Sequence, residues 1–126
     1  MRKRGFIIRK FINRKDSNHN EVAKEFKRLG WYISDVSNIP ALCDLRIDRI
    51  IDNKHVSIVV EIKDGEKPQS QRKLTKDEVS YLSTFPGNIA IVESLYDCAV
   101  LDKLAERSSV IIRYKFDIVL DRGVKK

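Results

Sequence analysis

The spacing of apolar residues changes several times along the chain, and each change marks an element. From Asn18 to Leu29, Val22, Ala23, Phe26 and Leu29 recur at three- and four-residue intervals, with Glu21, Lys24, Glu25, Lys27 and Arg28 between them. That stripe predicts a helix, capped by Ser17 or Asn18 and ended by Gly30. Trp31 to Val36 reads as a strand, and Ser37-Asn38-Ile39-Pro40 as a turn. Leu42 to Ile51 alternates in part, which suits a second strand. After an Asp52-Asn53-Lys54 turn, His55 to Ile62 is rich in β-branched residues, the mark of a buried central strand. Asp64 to Thr75 is a polar loop. Thr75 opens a second helix to about Thr84, with Glu78 placed for a capping box. Pro86-Gly87-Asn88 is a turn, Ile89 to Val92 a short apolar strand, and Leu95 to Ala105 a third helix. Near the end, Ile112, Tyr114, Phe116, Ile118 and Leu120 alternate with Arg113, Lys115, Asp117 and Val119, which predicts a half-buried strand. Phe6-Ile7-Ile8 and Phe11-Ile12 form a strand or a helix turn.

The order is helix, three strands, helix, strand, helix, strand: an α/β chain whose mixed sheet is flanked by helices. Its 126 residues suit one domain, with a basic arm at 1–17, a core at 18–105 and a C-terminal strand and tail at 106–126. Apolar residues make up 42% of the chain, enough for one core without a disulfide framework. The net charge is +7, and residues 1–30 carry all of the excess: ten Lys/Arg against three Asp/Glu, with fifteen of each in the remainder. A basic lobe on a balanced domain suits a polyanionic partner. Arg2, Lys3, Arg4, Arg9, Lys10, Arg14 and Lys15 either track a phosphate backbone or form a solvated arm. Arg9 and Lys10 also interrupt what would otherwise resemble a signal peptide. No apolar run approaches membrane-spanning length. Cys43 and Cys98 read as free buried thiols, with neither histidine at zinc-ligand spacing. A cytoplasmic chain with no membrane partner is expected.

The chemistry concentrates in Val59-Val60-Glu61-Ile62-Lys63. Residues two apart on a strand share a face, so Glu61 and Lys63 point one way and Val60 and Ile62 the other. A hairpin brings Asp44 alongside. Two carboxylates and an ammonium at one end of a sheet are a kit for phosphodiester hydrolysis. Hard oxygen ligands hold Mg²⁺, and a lysine stabilises developing charge or handles the attacking water. The Ile62 carbonyl adds a further oxygen. Glu21 completes an acidic cluster if its helix packs over that sheet end. The alternative for the same residues is a cross-strand salt bridge. Asp48 shares the face of Asp44 as a reserve ligand, and Asp64 reads as a turn former. Trp31 reads as core and His19 as a residue at the helix start.

Asp44 followed by Glu61-Ile62-Lys63, with a glutamate on a preceding helix, resembles the PD-(D/E)XK nuclease superfamily. The run Glu61-Ile62-Lys63-Asp64-Gly65-Glu66-Lys67-Pro68, then Ser70, Arg72-Lys73-Leu74-Thr75 and Glu78, is similar to VRR-NUC-like small nucleases. Many of these are phage-encoded and similar to Holliday-junction resolvases. The likeness spans roughly residues 18–105. It implies a restriction-endonuclease-like fold with core order αβββαβ. It also implies a DNA endonuclease dependent on Mg²⁺ (or Mn²⁺), acting on branched or flapped structures, of phage origin. Glu21, Asp44 and Glu61 are the implied metal ligands and Lys63 the catalytic lysine. Gln71, Arg72 and Lys73 are the implied nucleic-acid contacts. The chain departs from the family in having Cys43, not proline, before Asp44. A non-catalytic nucleic-acid-binding module on the same fold is the alternative. A homodimer built through an exposed edge of the closing strand would suit symmetric cleavage.

Overall fold

The computed structural model describes residues 18–38 and 43–125; the basic arm, with Arg9, Lys10 and the Phe6–Ile12 segment, lies outside the described residues. Helix α1 (His19–Arg28) buries Val22 and Phe26, and Gly30, at φ +101°, turns the chain into strand β1 (Tyr32–Asp35). Strands β2 (Leu45–Ile51) and β3 (Lys54–Ile62) form a hairpin closed by Asp52 and Asn53, both at positive φ. That is the conformation a two-residue turn needs to match strand twist. A 3-10 turn (Gln69–Gln71) and the short strand β4 (Leu74–Thr75) lead to helix α2 (Lys76–Thr84). Strand β5 (Asn88–Val92), helix α3 (Leu95–Arg107), strand β6 (Arg113–Tyr114), helix α4 (Phe116–Leu120) and strand β7 (Val124–Lys125) follow.

The fold is mixed α/β. Five strands in the order β1-β2-β3-β5-β6 form the main sheet, antiparallel from β1 to β3 and parallel from β3 to β6. A second, two-stranded sheet pairs β4 with β7. Strand alternation splits the core into two layers. On one face Leu45, Ile47, Ile58, Val60, Ile62 and Val92 meet Val22 and Phe26 of α1 and Leu101 of α3. On the other, Val59, Ile89 and Ile91 meet Leu82 of α2 and Phe116 and Val119 of α4. Trp31 is core as expected, 2% exposed, its indole N–H donating to Asp102. Both cysteines are free and buried. Among the described residues no helix is long and apolar enough to cross a membrane.

One predicted element is wrong. The strand expected over Ile112 to Leu120 stops at Tyr114, and residues 116–120 are helical. Lys115 takes φ +61°, a left-handed conformation that no strand can continue through. Beyond it the buried positions are Phe116 and Val119, three apart, while Ile118 is 59% exposed. The alternation of apolar letters there carried two readings, and packing under β5 selected the helical one.

Candidate active site

Strand β3 sends Val60 and Ile62 into the layer beneath α1, so Glu61, with Lys63 just past the strand, faces the α2 side. Asp44 precedes β2. Its N–H donates to Val60 O at 3.0 Å, which extends the β2–β3 ladder and sets Asp44 opposite Glu61. The Asp44 carboxylate turns back on the neighbouring strand, where Oδ2 accepts the Ile62 N–H at 2.7 Å. Asp44, Glu61 and Lys63 thus share one face, as strand periodicity requires.

Helix α2 lies over them and adds a fourth group. The Thr75 hydroxyl accepts the Glu78 N–H, and Glu78 Oε1 accepts the Thr75 N–H, forming the expected capping box. That box also holds the Glu78 carboxylate 3.1 Å from Lys63 Nζ, with Glu61 Oε2 at 3.5 Å from the same ammonium. Glu61 is 5% and Lys63 6% exposed. Burial raises the Glu61 carboxyl well above its ordinary range, and the charges of Asp44 and Glu78 push the same way, with Lys63 opposing. The Glu61 and Glu78 side chains are hydrogen-bonded to each other beside the Lys63 ammonium. Against the upward push of burial, that hydrogen bond, the Lys63 charge and the Thr75 N–H hold Glu78 below its ordinary value. The thiol of Cys43 is pushed up by burial and by the charges of Glu61, Asp44 and Glu78, which places it against the same cluster. Glu61 and Glu78 thus share one ammonium, with the Asp44 carboxylate beside them on the neighbouring strand.

A cleft of about 650 Å³ opens beyond the ends of β3 and β5, lined by Asp64, Glu93 and Arg72 and by none of Asp44, Glu61, Lys63 or Glu78. Asn18 closes its floor, Nδ2 donating to Lys63 O and Glu93 O at 3.3 Å each. Gly65 is required there, because a Cβ would stand 2.5 Å from Glu93 O. Glu21 lines the cleft and is exposed, on the helix that covers the opposite face from Asp44 and Glu61. Its position as a fourth ligand rests on the resemblance alone.

Past β5, Glu93 gathers three cations: Arg72 at 3.0 Å, Lys115 at 2.6 Å, and Arg122 through both of its terminal nitrogens. Burial would raise this carboxyl, but hydrogen bonds from Arg122 and Lys115 and their charges bring it down to about 2. Asp97 accepts from Lys115 at 2.9 Å and from the Tyr114 hydroxyl at 2.8 Å, joining the same network. Arg72, expected to contact a nucleic-acid backbone, is therefore already bonded within the domain. Lys73 is half-buried and Gln71 is exposed on the 3-10 turn. Asp48 is held by Arg46 and His55. Asp64 forms the expected turn by accepting the Glu66 N–H at 3.0 Å, and His19 sits 3.4 Å from Asp35.

Two features escaped the sequence reading. The contact of Glu78 with Lys63 is one, since Thr-x-x-Glu carries no sign of what its helix lies over. The Glu93 network joins residues 21 to 29 positions apart, beyond any local pattern. Among the described residues, no set of three or more His, Cys, Asp or Glu is arranged to hold a metal ion. Comparison with family models, with curated proteins and with solved structures finds no match to this chain.

Proposed function

We propose that the chain is a metal-dependent nuclease that hydrolyses phosphodiester bonds in DNA, with Asp44, Glu61 and Lys63 as its active site on a restriction-endonuclease-like fold. The observation that carries this is the placement of Asp44 opposite Glu61 on one sheet face, with a single ammonium, Lys63, shared by Glu61 and Glu78 among the described residues. A purely structural cluster is better served by matching cations, as Glu93 is. Mg²⁺ commonly takes only one or two protein carboxylates and fills its shell with water and substrate oxygen. The facing carboxyls of Asp44 and Glu61 fit that demand, with the Ile62 carbonyl as a further oxygen and Glu21 as the further ligand the resemblance implies. Mg²⁺ or Mn²⁺, when bound, polarises the phosphoryl oxygen and lowers the pKa of a coordinated water.

The chain's own groups divide the remaining work. Asp44 is oriented by the Ile62 N–H, so its carboxylate is fixed before any ligand arrives. Lys63 keeps its ammonium between Glu61 and Glu78, ready to offset the negative charge that grows on the phosphoryl oxygens. Glu78 positions Lys63 and is itself held by the helix cap.

Cleavage of single-stranded, duplex, flapped and branched DNA should require Mg²⁺ or Mn²⁺, and should fall at least about a hundredfold in Lys63→Ala and Glu61→Gln. Cleavage that persists in both folded variants removes the assignment. A second reading, a non-catalytic nucleic-acid-binding module, is favoured by one observation: the carboxyl cluster is closed, with Lys63 already spanning two of its members. That reading expects salt-dependent binding and no hydrolysis with any divalent metal.

A further inference from the structure

The sheet face that carries Asp44 and Glu61 does not end with them. It continues along β2 and β3 to Arg46 and to Val59, and α2 stands beside it. Between them lies a cavity of about 230 Å³. Cys43, Val59 and Val36 give it apolar lining, Tyr81 and Phe85 aromatic lining, and Arg46 and Ser57 polar lining. The two rings are 5.5 Å apart and inclined at 33°, so they act as one aromatic wall. Arg46 is exposed, and its guanidinium is oriented by Asp48 at 3.2 Å. The inner end of the cavity adjoins the carboxyl cluster through Cys43, the neighbour of Asp44 in the chain. Arg46 is two residues from Asp44 on the same face, about 7 Å along a strand.

We propose that this cavity is a subsite for one unstacked nucleobase, so that the substrate presents unpaired nucleotides next to the phosphate held at Asp44 and Glu61. The proposal rests on the nuclease reading of the adjoining site. Size selects a single ring system, since pockets for drug-sized ligands run from about 300 to 1,000 Å³. The aromatic wall offers stacking, which every base can use and which needs no sequence readout. Arg46 in the lining supplies a positive charge where the backbone of the same nucleotide would pass. A paired base cannot enter, because both of its faces are already stacked in the duplex. Single strands, flaps and the unpaired ends of branches therefore fit, and continuous duplex does not.

The test needs no cleavage. The full chain, in chelator, is bound to fluorescent single-stranded DNA and to duplex of the same sequence. In parallel it is photo-crosslinked to a strand carrying 5-iodouracil, and the adduct is mapped. We expect adducts at Tyr81 or Phe85, and an affinity loss of about tenfold for single strands in Tyr81→Leu, with duplex binding unchanged. Tyr81→Phe, which keeps the ring, should retain single-strand affinity. Crosslinking uses the unaltered protein and so stands even if Tyr81→Leu folds poorly. Adducts found only elsewhere, or equal losses for single strand and duplex, overturn the subsite. An apolar protein side chain as the true occupant would give that same null. Metal-dependent cleavage without adducts at these rings sinks the subsite and spares the nuclease. Adducts at these rings with no cleavage in any metal do the reverse.

Discussion

Two buried glutamates stand on adjacent parallel strands of this sheet, Glu61 in β3 and Glu93 just after β5, and they have opposite surroundings. Among the described residues Glu93 has three cations within reach, one of which, Lys115, it shares with Asp97. Among the described residues Glu61 has one ammonium, and shares it with Glu78 while facing Asp44. Both are 5% exposed. Burial is the largest push on Glu61 and lifts it well above its ordinary range, whereas at Glu93 the hydrogen bonds and charges of Arg122 and Lys115 outweigh burial and hold the carboxyl at about 2. A paired buried carboxylate is a fastener. A buried carboxyl short of partners is tolerated where a ligand supplies the missing charge, and perturbed carboxyls of this kind concentrate at functional sites.

The comparison breaks most readily at Glu93. Replacing it by Gln leaves three cations without their counter-charge, and should cost about 3–5 kcal/mol in urea denaturation. A loss near zero would mean that the network is ornamental. The pH dependence follows from the same carboxylate. Its folded value lies below the ordinary 4.5, so its stabilisation is complete above the unfolded value and is lost as pH falls from about 4.5 through about 2. About 3 kcal/mol of stability should disappear across that window in the unaltered chain. Most of that change should be absent from melts of Glu93→Gln.

Glu61→Gln should behave in the opposite sense. The raised carboxyl favours the folded state while protonated and opposes it as pH rises through the folded value. The amide should therefore leave thermal stability unchanged at neutral pH or raise it by about 1 kcal/mol, while ending cleavage. A large destabilisation would make Glu61 a fastener like Glu93. Millimolar Mg²⁺ should stabilise the unaltered chain by about 1 kcal/mol in thermal melts and have no effect on Asp44→Asn. Thr75→Ala removes the hydroxyl half of the capping box, and should cost about 1 kcal/mol while weakening the hold of Glu78 on Lys63. Nuclear magnetic resonance of the Lys63 ammonium would report the release.

Much of this was legible along the chain because it depends on near neighbours. Val22 and Phe26 marked α1, and Thr75 with Glu78 marked the start of α2. The two-residue step from Glu61 to Lys63 put both on one face. The hairpin at Asp52 and Asn53 delivered Asp44 to them, and the register holds it opposite Glu61. Reading failed where two periods were both compatible with the letters, as from Phe116 to Leu120. There a single left-handed residue, Lys115, decided between strand and helix.

By itself the sequence determined the succession of the principal elements as far as α3 and the sharing of a face by Asp44, Glu61 and Lys63, because both follow from backbone periodicity and short turns. Only the tertiary structure decided the state of those groups. Whether a buried carboxyl is ionised depends on the charges within a few ångströms of it, and α2 and the C-terminal segment bring those charges from distant parts of the chain. Glu78 against Lys63, and Arg122 against Glu93, are contacts that no local pattern encodes.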